Sequence, residues 1–388
     1  MQPNDFHSGE AGQCVAIGKA QWAFVPGPPP ESIDLNAVWE PLGEADAALG
    51  AIQGLSTGAQ LPFVHMLIAT AVRREAALSS RIEGIQTRLP DLLRAEVEDP
   101  EQEKADDDMR ETRNYLTALR QGVEALRAGR PINAHFVRGL HATLLDSTRG
   151  RDANPGTFRA VQNFIGPPGS TLATARYVPP PVHELPRLIG EWEQFARTRG
   201  GMPDLVRCAV MHHRFEAVHP FEDGNGRVGR LLIPLFLIER GRLHEPLLYL
   251  SDYLERHRRD YYALLQAVHT DNDWESWARF FLAGVRDTSR KAIRQAELLS
   301  ELRKRYRDML KKKFRARTLL DELFANPYVD NAYAAKKLDV DRKTAQKSID
   351  LLEELSVLRE ITGRSWGRMW EASAILQIID APDLESTA

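Results

Sequence analysis

Residues 219–230 read His-Pro-Phe-Glu-Asp-Gly-Asn-Gly-Arg-Val-Gly-Arg and run without a break into apolar residues at helical spacing: Val228, Leu231, Leu232, Leu235, Phe236 and Ile238. A chain holding this segment must build a tight glycine-rich turn that opens directly onto a buried helix. The first N–H groups of such a helix have no intrahelical partner, and its dipole adds partial positive charge there. Gly224 and Gly226 permit unusual dihedrals and let an anion approach with no Cβ in the way. Arg227 and Arg230 follow in the first turns, at the end of the dipole where cations destabilise a helix. A local rule broken this way points to an anionic ligand that offsets the cost, a polyphosphate above all. No Lys-Ser or Lys-Thr follows the glycines, so the site is not a Walker A loop. Phe221 reads as a core anchor that fixes the turn.

The segment resembles the signature of the Fic family, His-x-Phe-x-(Asp/Glu)-Gly-Asn-Gly-Arg-x-x-Arg, at every defined position. The resemblance implies transfer of AMP from ATP, with Mg2+, to a Ser, Thr or Tyr hydroxyl of a target protein. It makes His219 the general base and Asp223 the metal holder. Gly224, Asn225 and Gly226 then cradle the phosphates, Val228 and Gly229 belong to the same nucleotide-binding turn, and Arg227 and Arg230 reach the outer phosphates. The related phosphorylating branch replaces Gly-Asn-Gly, which is intact here. The chemistry is compatible with these roles: an ordinary imidazole is largely neutral at pH 7, and Mg2+ needs few protein oxygens beside substrate phosphates.

Residues 66–84 read as a helix with Ala71, Leu78 and Ile82 along one side and Gly84 closing it. Ser79-Ser80-Arg81-Ile82-Glu83-Gly84 resembles the family's inhibitory pattern, (Ser/Thr)-x-x-x-Glu-(Gly/Asn), which implies that Glu83 pairs with Arg230 and displaces the γ-phosphate. Phe158-Arg159, Gln162 to Gly166, and Ala175 to Pro181 resemble the family's flap, in which Tyr177 and Val178 would offer a free edge to a target peptide. Tyr261 and Tyr262 stand where the family has an aromatic pair near the nucleotide.

The 388 residues allow two to three domains, and their 43% hydrophobic and 27% charged content is that of an ordinary globular chain. A net charge of −3 implies no general attraction to polyanions or membranes. Cys14 and Cys208 are too few for a disulfide scaffold, and no apolar run could span a bilayer, so a cytoplasmic location is expected. His213, Glu216 and His219 do not have the His-Glu-x-x-His spacing of a metallohydrolase.

Helical periodicity dominates and alternating strands are few, so a mainly α fold is expected: a Fic-type helical bundle with a small β-hairpin flap, then a winged helix-turn-helix. The expected division is an N-terminal segment over 1–110 with the inhibitory helix, a catalytic core over 111–296, and a linker helix with the winged helix over 297–388. The first thirty residues read as an extended tail, and the acidic run Glu96 to Glu111 as a solvated loop and helix start. Asn331 to Leu338, Arg342 to Leu355 and an alternating stretch to Ala372 make the winged helix, so DNA is a candidate partner and a homodimer is plausible from the resemblance. Two alternatives stand beside AMP transfer: a phosphodiesterase that removes AMP with the same site, and a DNA-binding regulator built on this core.

Overall fold

The computed structural model describes residues 2–57, 64–98, 107–146, 154–167 and 169–381. The chain begins with an antiparallel hairpin, β1 (Gly12–Gly18) and β2 (Gln21–Pro26), followed by helices α1 (Leu35–Thr57), α2 (Val64–Ile82), α3 (Leu89–Ala95), α4 (Asp107–Arg127) and α5 (Ala134–Leu144). After the loop that holds the flap come α6 (Leu185–Arg197), α7 (Asp204–Val218), α8 (Asn225–Glu239), α9 (Ser251–Arg256), α10 (Arg258–Asp271) and α11 (Trp274–Leu310). The C-terminal unit holds α12 (Phe314–Ala325), β3 (Tyr328–Asp330), α13 (Asn331–Leu338), α14 (Arg342–Glu354), β4 (Arg359–Glu360), β5 (Met369–Glu371) and α15 (Ser373–Asp380). Its three strands form one antiparallel sheet in the order β3-β5-β4. The mainly helical architecture is the one expected, and among the described residues no helix is long and apolar enough to cross a membrane.

The helices pack around two hydrophobic cores. One runs from Ile33 to Val285 and centres on α7 and α8, which are buried on nearly every side although they carry Arg207, His212, His213, Arg214, Arg227 and Arg230 among their buried residues. The other joins Leu89 and Leu93 of α3 to α12–α15. The long α11 serves both: Trp277, Phe281 and Val285 face the first core, while Leu299, Leu302 and Leu310 face the second. Its charged middle hides this continuity in the sequence, where the stretch reads as separate helices. Helix α2, which carries Ser79 and leads directly into Glu83, also touches both, packing on α4 and α9 and on α12.

Two expectations are corrected. The first thirty residues are extended but not a tail: Ala23 and Phe24 are fully buried, and the Phe24 N–H donates to the Val178 carbonyl at 2.9 Å. The acidic run is not solvated to its end. Residues 99–106 lie outside the described residues, but Glu111 is buried, because an arginine from α8 meets it there.

Candidate active site

The turn between α7 and α8 is built from its own residues. His219 ends α7 with φ 47° and ψ 60°, a left-handed conformation of order 1 kcal/mol above the helical one for a side chain with a Cβ. Pro220 disfavours the right-handed region for the residue before it, so the chain leaves the helix at that histidine. Asn225 then staples the turn: its Oδ1 accepts the Phe221 N–H at 2.8 Å and its Nδ2 donates to the Phe221 carbonyl at 2.9 Å. Gly224 sits at φ 77°, and the first helical bond of α8 runs from the Val228 N–H to its carbonyl. The N–H groups of Asn225, Gly226 and Arg227 thus precede the first helical bond and face outward as an anion site.

Phe221 is the expected anchor, fully buried and stacked on His141 with centroids 3.7 Å apart. The Gly156 N–H donates to Nδ1 of His141, so its Nε2 carries the proton and donates to the Asp223 carbonyl at 3.0 Å. Burial pushes that ring down to about 4, which keeps it neutral and the tautomer fixed. The Asp223 side chain is 57% exposed; its Oδ1 accepts the Gly224 N–H at 2.7 Å and its Oδ2 lies 3.4 Å from Arg227.

His219 is pushed down to about 4 by burial and by the Arg159 charge, against a smaller opposing effect of Glu83. Its Nδ1 is buried beside the Glu216 carbonyl without closing a well-formed hydrogen bond to it. Arg159, buried itself, holds the surroundings: it donates to the carbonyls of His219 at 3.0 Å, Val161 at 3.3 Å and Pro180 at 2.6 Å. A single guanidinium therefore ties the histidine to both strands of the flap.

Both arginines of the turn are buried. Arg227 donates to Glu111 at 2.5 Å. Arg230 donates through Nε to the Ser79 hydroxyl at 2.9 Å, and through Nη2 to the Ser79 carbonyl at 3.0 Å and to Glu83 at 2.7 Å. Burial pushes the Glu83 carboxyl up, but the charges of Arg230 and Arg227 and the hydrogen bond outweigh it and hold it below its ordinary value. A Cβ built on Gly226 would overlap the Glu83 carboxylate. That carboxylate thus stands at the N-terminus of α8, where the turn favours an anion.

Glu216, one helical turn before His219, is pushed up to about 7, chiefly by burial and against the pull of Arg230; its Oε1 is buried without a hydrogen bond. A Cβ on Gly229 would overlap it, which is why a glycine stands there. Tyr262 is half-buried, and the Glu83 charge acts on its phenol. Tyr261 is buried deeper, its hydroxyl 3.0 Å from Nε2 of His212. Val228 is fully buried against the core.

The flap differs from its expectation. Tyr177 pairs with Ile165 in an antiparallel bridge, its hydroxyl donates to the Ala217 carbonyl at 2.7 Å, and the Val178 carbonyl is taken by Phe24. Both side chains are buried, so these two residues brace the flap from within, whereas Val161 and Phe164 are exposed, at 57% and 41%. Sequence reasoning did not single out Glu111, His141, Arg159 or Glu216 as site residues. Each acts through tertiary contact; Arg159 came into view only as part of the flap match, and Glu216 only through its Glu-x-x-His spacing to His219.

The chain is similar to known proteins along much of its length. Residues 39–124 match the Fic/DOC family N-terminal region, and residues 131–237 match the Fic/DOC family. A probable protein adenylyltransferase of Aquifex aeolicus is 39% identical over 70 residues, 18% of this chain and 22% of that protein. The protein adenylyltransferase Fic of Aedes aegypti is 29% identical over 127 residues, 32% of this chain and 22% of that protein. The chain thus spans about a fifth of the length of these curated relatives. A solved structure of a Fic family protein from Desulfovibrio desulfuricans aligns over 89% of this chain and 98% of its own, with TM-score 0.56 and 19% identity, a likeness of fold.

Proposed function

The chain belongs to the Fic/DOC family, and from that premise we propose that it transfers AMP from ATP to a Ser, Thr or Tyr hydroxyl of a target protein or of itself, restrained in the resting state by Glu83. The observation that carries this reading is the Glu83 carboxylate, paired with Arg230 and standing over Gly226 at the head of α8. A protein anion held at an anion site by the arginine meant for a phosphate is what a self-blocked nucleotide pocket requires.

The chain's own groups supply the chemistry. The target hydroxyl oxygen attacks the α-phosphorus, the bond to the bridging oxygen breaks, and pyrophosphate leaves. His219 takes the hydroxyl proton; with Nδ1 turned to the Glu216 carbonyl, Nε2 is the free base, kept neutral by its surroundings. The N–H groups ahead of Val228 stabilise the charge that builds on the phosphates, and Arg230, once free of Glu83, adds to it. Asp223, largely exposed, with the Gly224 N–H on one oxygen and a longer contact from Arg227 on the other, fits a hard ion such as Mg2+, which would neutralise phosphate charge. Tyr262 borders the nucleotide, with Tyr261 and His212 behind it.

We keep the three-part domain reading as a proposal, with α3 assigned to the C-terminal core and the boundaries moved off α4 and α11, which run unbroken through residues 111 and 297. The helix order and three-stranded sheet of that unit support the winged-helix assignment. The two unpaired cysteines support a reducing, cytoplasmic setting. Because the Glu83 charge also acts on His219, removal of AMP by an activated water is the second reading. Purified protein incubated with ATP labelled at the α-phosphate tests the first. Self-labelling that His219→Ala abolishes is expected, and label that persists in that variant would sink it. Release of AMP from a modified protein, without label from ATP, would favour the second.

A further inference from the structure

The C-terminal unit carries a set of cations that the active site does not use. Among the described residues, Lys312, Lys313, Arg315, Arg342, Lys343 and Lys347 form no ion pair. The acidic groups around them are mostly engaged. Asp321 holds Arg303 and Arg307, Glu322 holds Lys337, and Asp330 and Asp341 cap α13 and α14. Glu360 binds its own turn, and Glu353 accepts from the Trp370 indole at 3.1 Å. The charge of these six is thus not taken up in ion pairs, while the exposed carboxylates of Asp350, Glu353 and Glu354 lie in the second half of α14, past Lys347.

Its arrangement is specific. Lys343 and Lys347 are exposed one turn apart on the first half of α14, with Arg342 exposed beside them at its start. Lys347 also borders a groove of about 790 Å³ between α14 and the α11–α12 junction, lined by Lys312, Lys313 and Arg315, with Asp339 as its acidic member and Phe314 80% exposed. Beyond β4, the hairpin tip presents Arg364 and Trp366, the latter 88% exposed, between Gly363 and Gly367 at φ 62° and 63°. The exposed positions in the first half of α14 hold no apolar side chain, whereas the centre of a protein–protein interface is apolar. Protein–DNA interfaces are polar and strongly positive.

We propose that the C-terminal unit binds duplex DNA, with Arg342, Lys343 and Lys347 of α14 entering the major groove, Lys312, Lys313 and Arg315 on the flanking phosphates, and the Arg364–Trp366 tip against the neighbouring backbone. This surface is independent of AMP transfer, and its test does not depend on that activity.

Full-length protein is titrated against a fluorescent mixed-sequence duplex of about 24 base pairs, by anisotropy, at about 50 and 200 mM salt. With about four phosphates neutralised, affinity is expected to fall about a hundredfold between the two. Lys343→Glu with Lys347→Glu should weaken binding at least tenfold at low salt, and Arg364→Ala with Trp366→Ala should weaken it less. Lys19→Glu with Arg130→Glu, the same charge change at exposed positions elsewhere, should leave it unaltered. Lys343→Gln with Lys347→Gln serves if the charge reversal lowers the melting temperature. Absence of binding at low salt, equal loss in the Lys19/Arg130 control, tighter binding to single-stranded RNA, or competition by polyglutamate as strong as by DNA would each overturn the proposal.

Discussion

Glu83 and Arg230, 147 positions apart in sequence, meet at 2.7 Å across the mouth of the α7–α8 turn, with Arg230 buried and the carboxylate partly open to solvent. The arginine is held from behind by Ser79 as well, so removing Glu83 frees an anion site without freeing the cation that serves it. Glu83→Gly is therefore expected to raise AMP labelling at least about tenfold, the change that about 1.4 kcal/mol of barrier represents. Scintillation counting of wild type and variant side by side checks it, and equal counts would remove the inhibitory role.

The pH dependence follows from His219. Its ring must be neutral to accept a proton, and burial with Arg159 pushes it down to about 4. The acid limb of kcat/KM, measured in the Glu83→Gly protein, should lie near pH 4 and not near 6.5, so the rate stays flat from about pH 7 to 5. His219→Ala should cost about 10²- to 10⁴-fold on the plateau above that limb. An acid limb at 6.5 would mean that another environment surrounds the base.

Gly226 offers a cycle in place of a single mutant. A Cβ there overlaps the Glu83 carboxylate, so Gly226→Ala should lower stability by about 1–3 kcal/mol in the wild-type background. In the Glu83→Gly background the same change should cost much less. Denaturant melts of the four proteins measure the difference, and identical costs in both backgrounds would place the Glu83 carboxylate elsewhere in solution.

Arg159→Lys tests the tie between base and flap. A lysine cannot reach three carbonyls in one plane, so at least one buried acceptor is left unmade, at a cost of about 1–3 kcal/mol. Labelling should fall through kcat more than through KM for ATP, because the histidine loses its position while the phosphate cradle stays. A change confined to KM would contradict this role.

Acid stability carries its own sign. His212 is pushed down to about 4 and His269 to about 3, chiefly by burial, from an ordinary value near 6.5. Each contributes stability that is full above about pH 6.5 and is lost as pH falls toward its folded value, up to about 3 kcal/mol for His212 and about 5 kcal/mol for His269. The melting temperature should decline from pH 6.5 downward, and His269→Phe should flatten that decline.

What was legible in the sequence was local. The turn from His219 to Arg230 carries its own staple in Asn225, and Asp341 caps α14 through the Thr344 N–H at 2.9 Å, so caps and periodicity located these elements. The Glu83–Arg230 pair was reachable only through family resemblance, because no local rule joins residues so far apart. Glu111 was hidden for the same reason: its run of acidic neighbours reads as solvated, and only α8 packed on α4 explains its burial. The β1–β2 hairpin escaped notice because its inner face rests on the flap and α7, a surface that exists only after folding. The continuous α11 was read as pieces because its apolar stripe changes partner midway.

The placement of α2 bears on how this protein should be handled. The helix packs on α4 and α9 of the catalytic bundle and also on α12 of the C-terminal unit. A chain cut before Phe314 would strip the α12 support from the helix that carries Ser79 and leads into Glu83. Such a fragment could come out more active than its parent for a purely mechanical reason. Activity measured on an isolated catalytic fragment is therefore a poor gauge of the resting level in the intact chain.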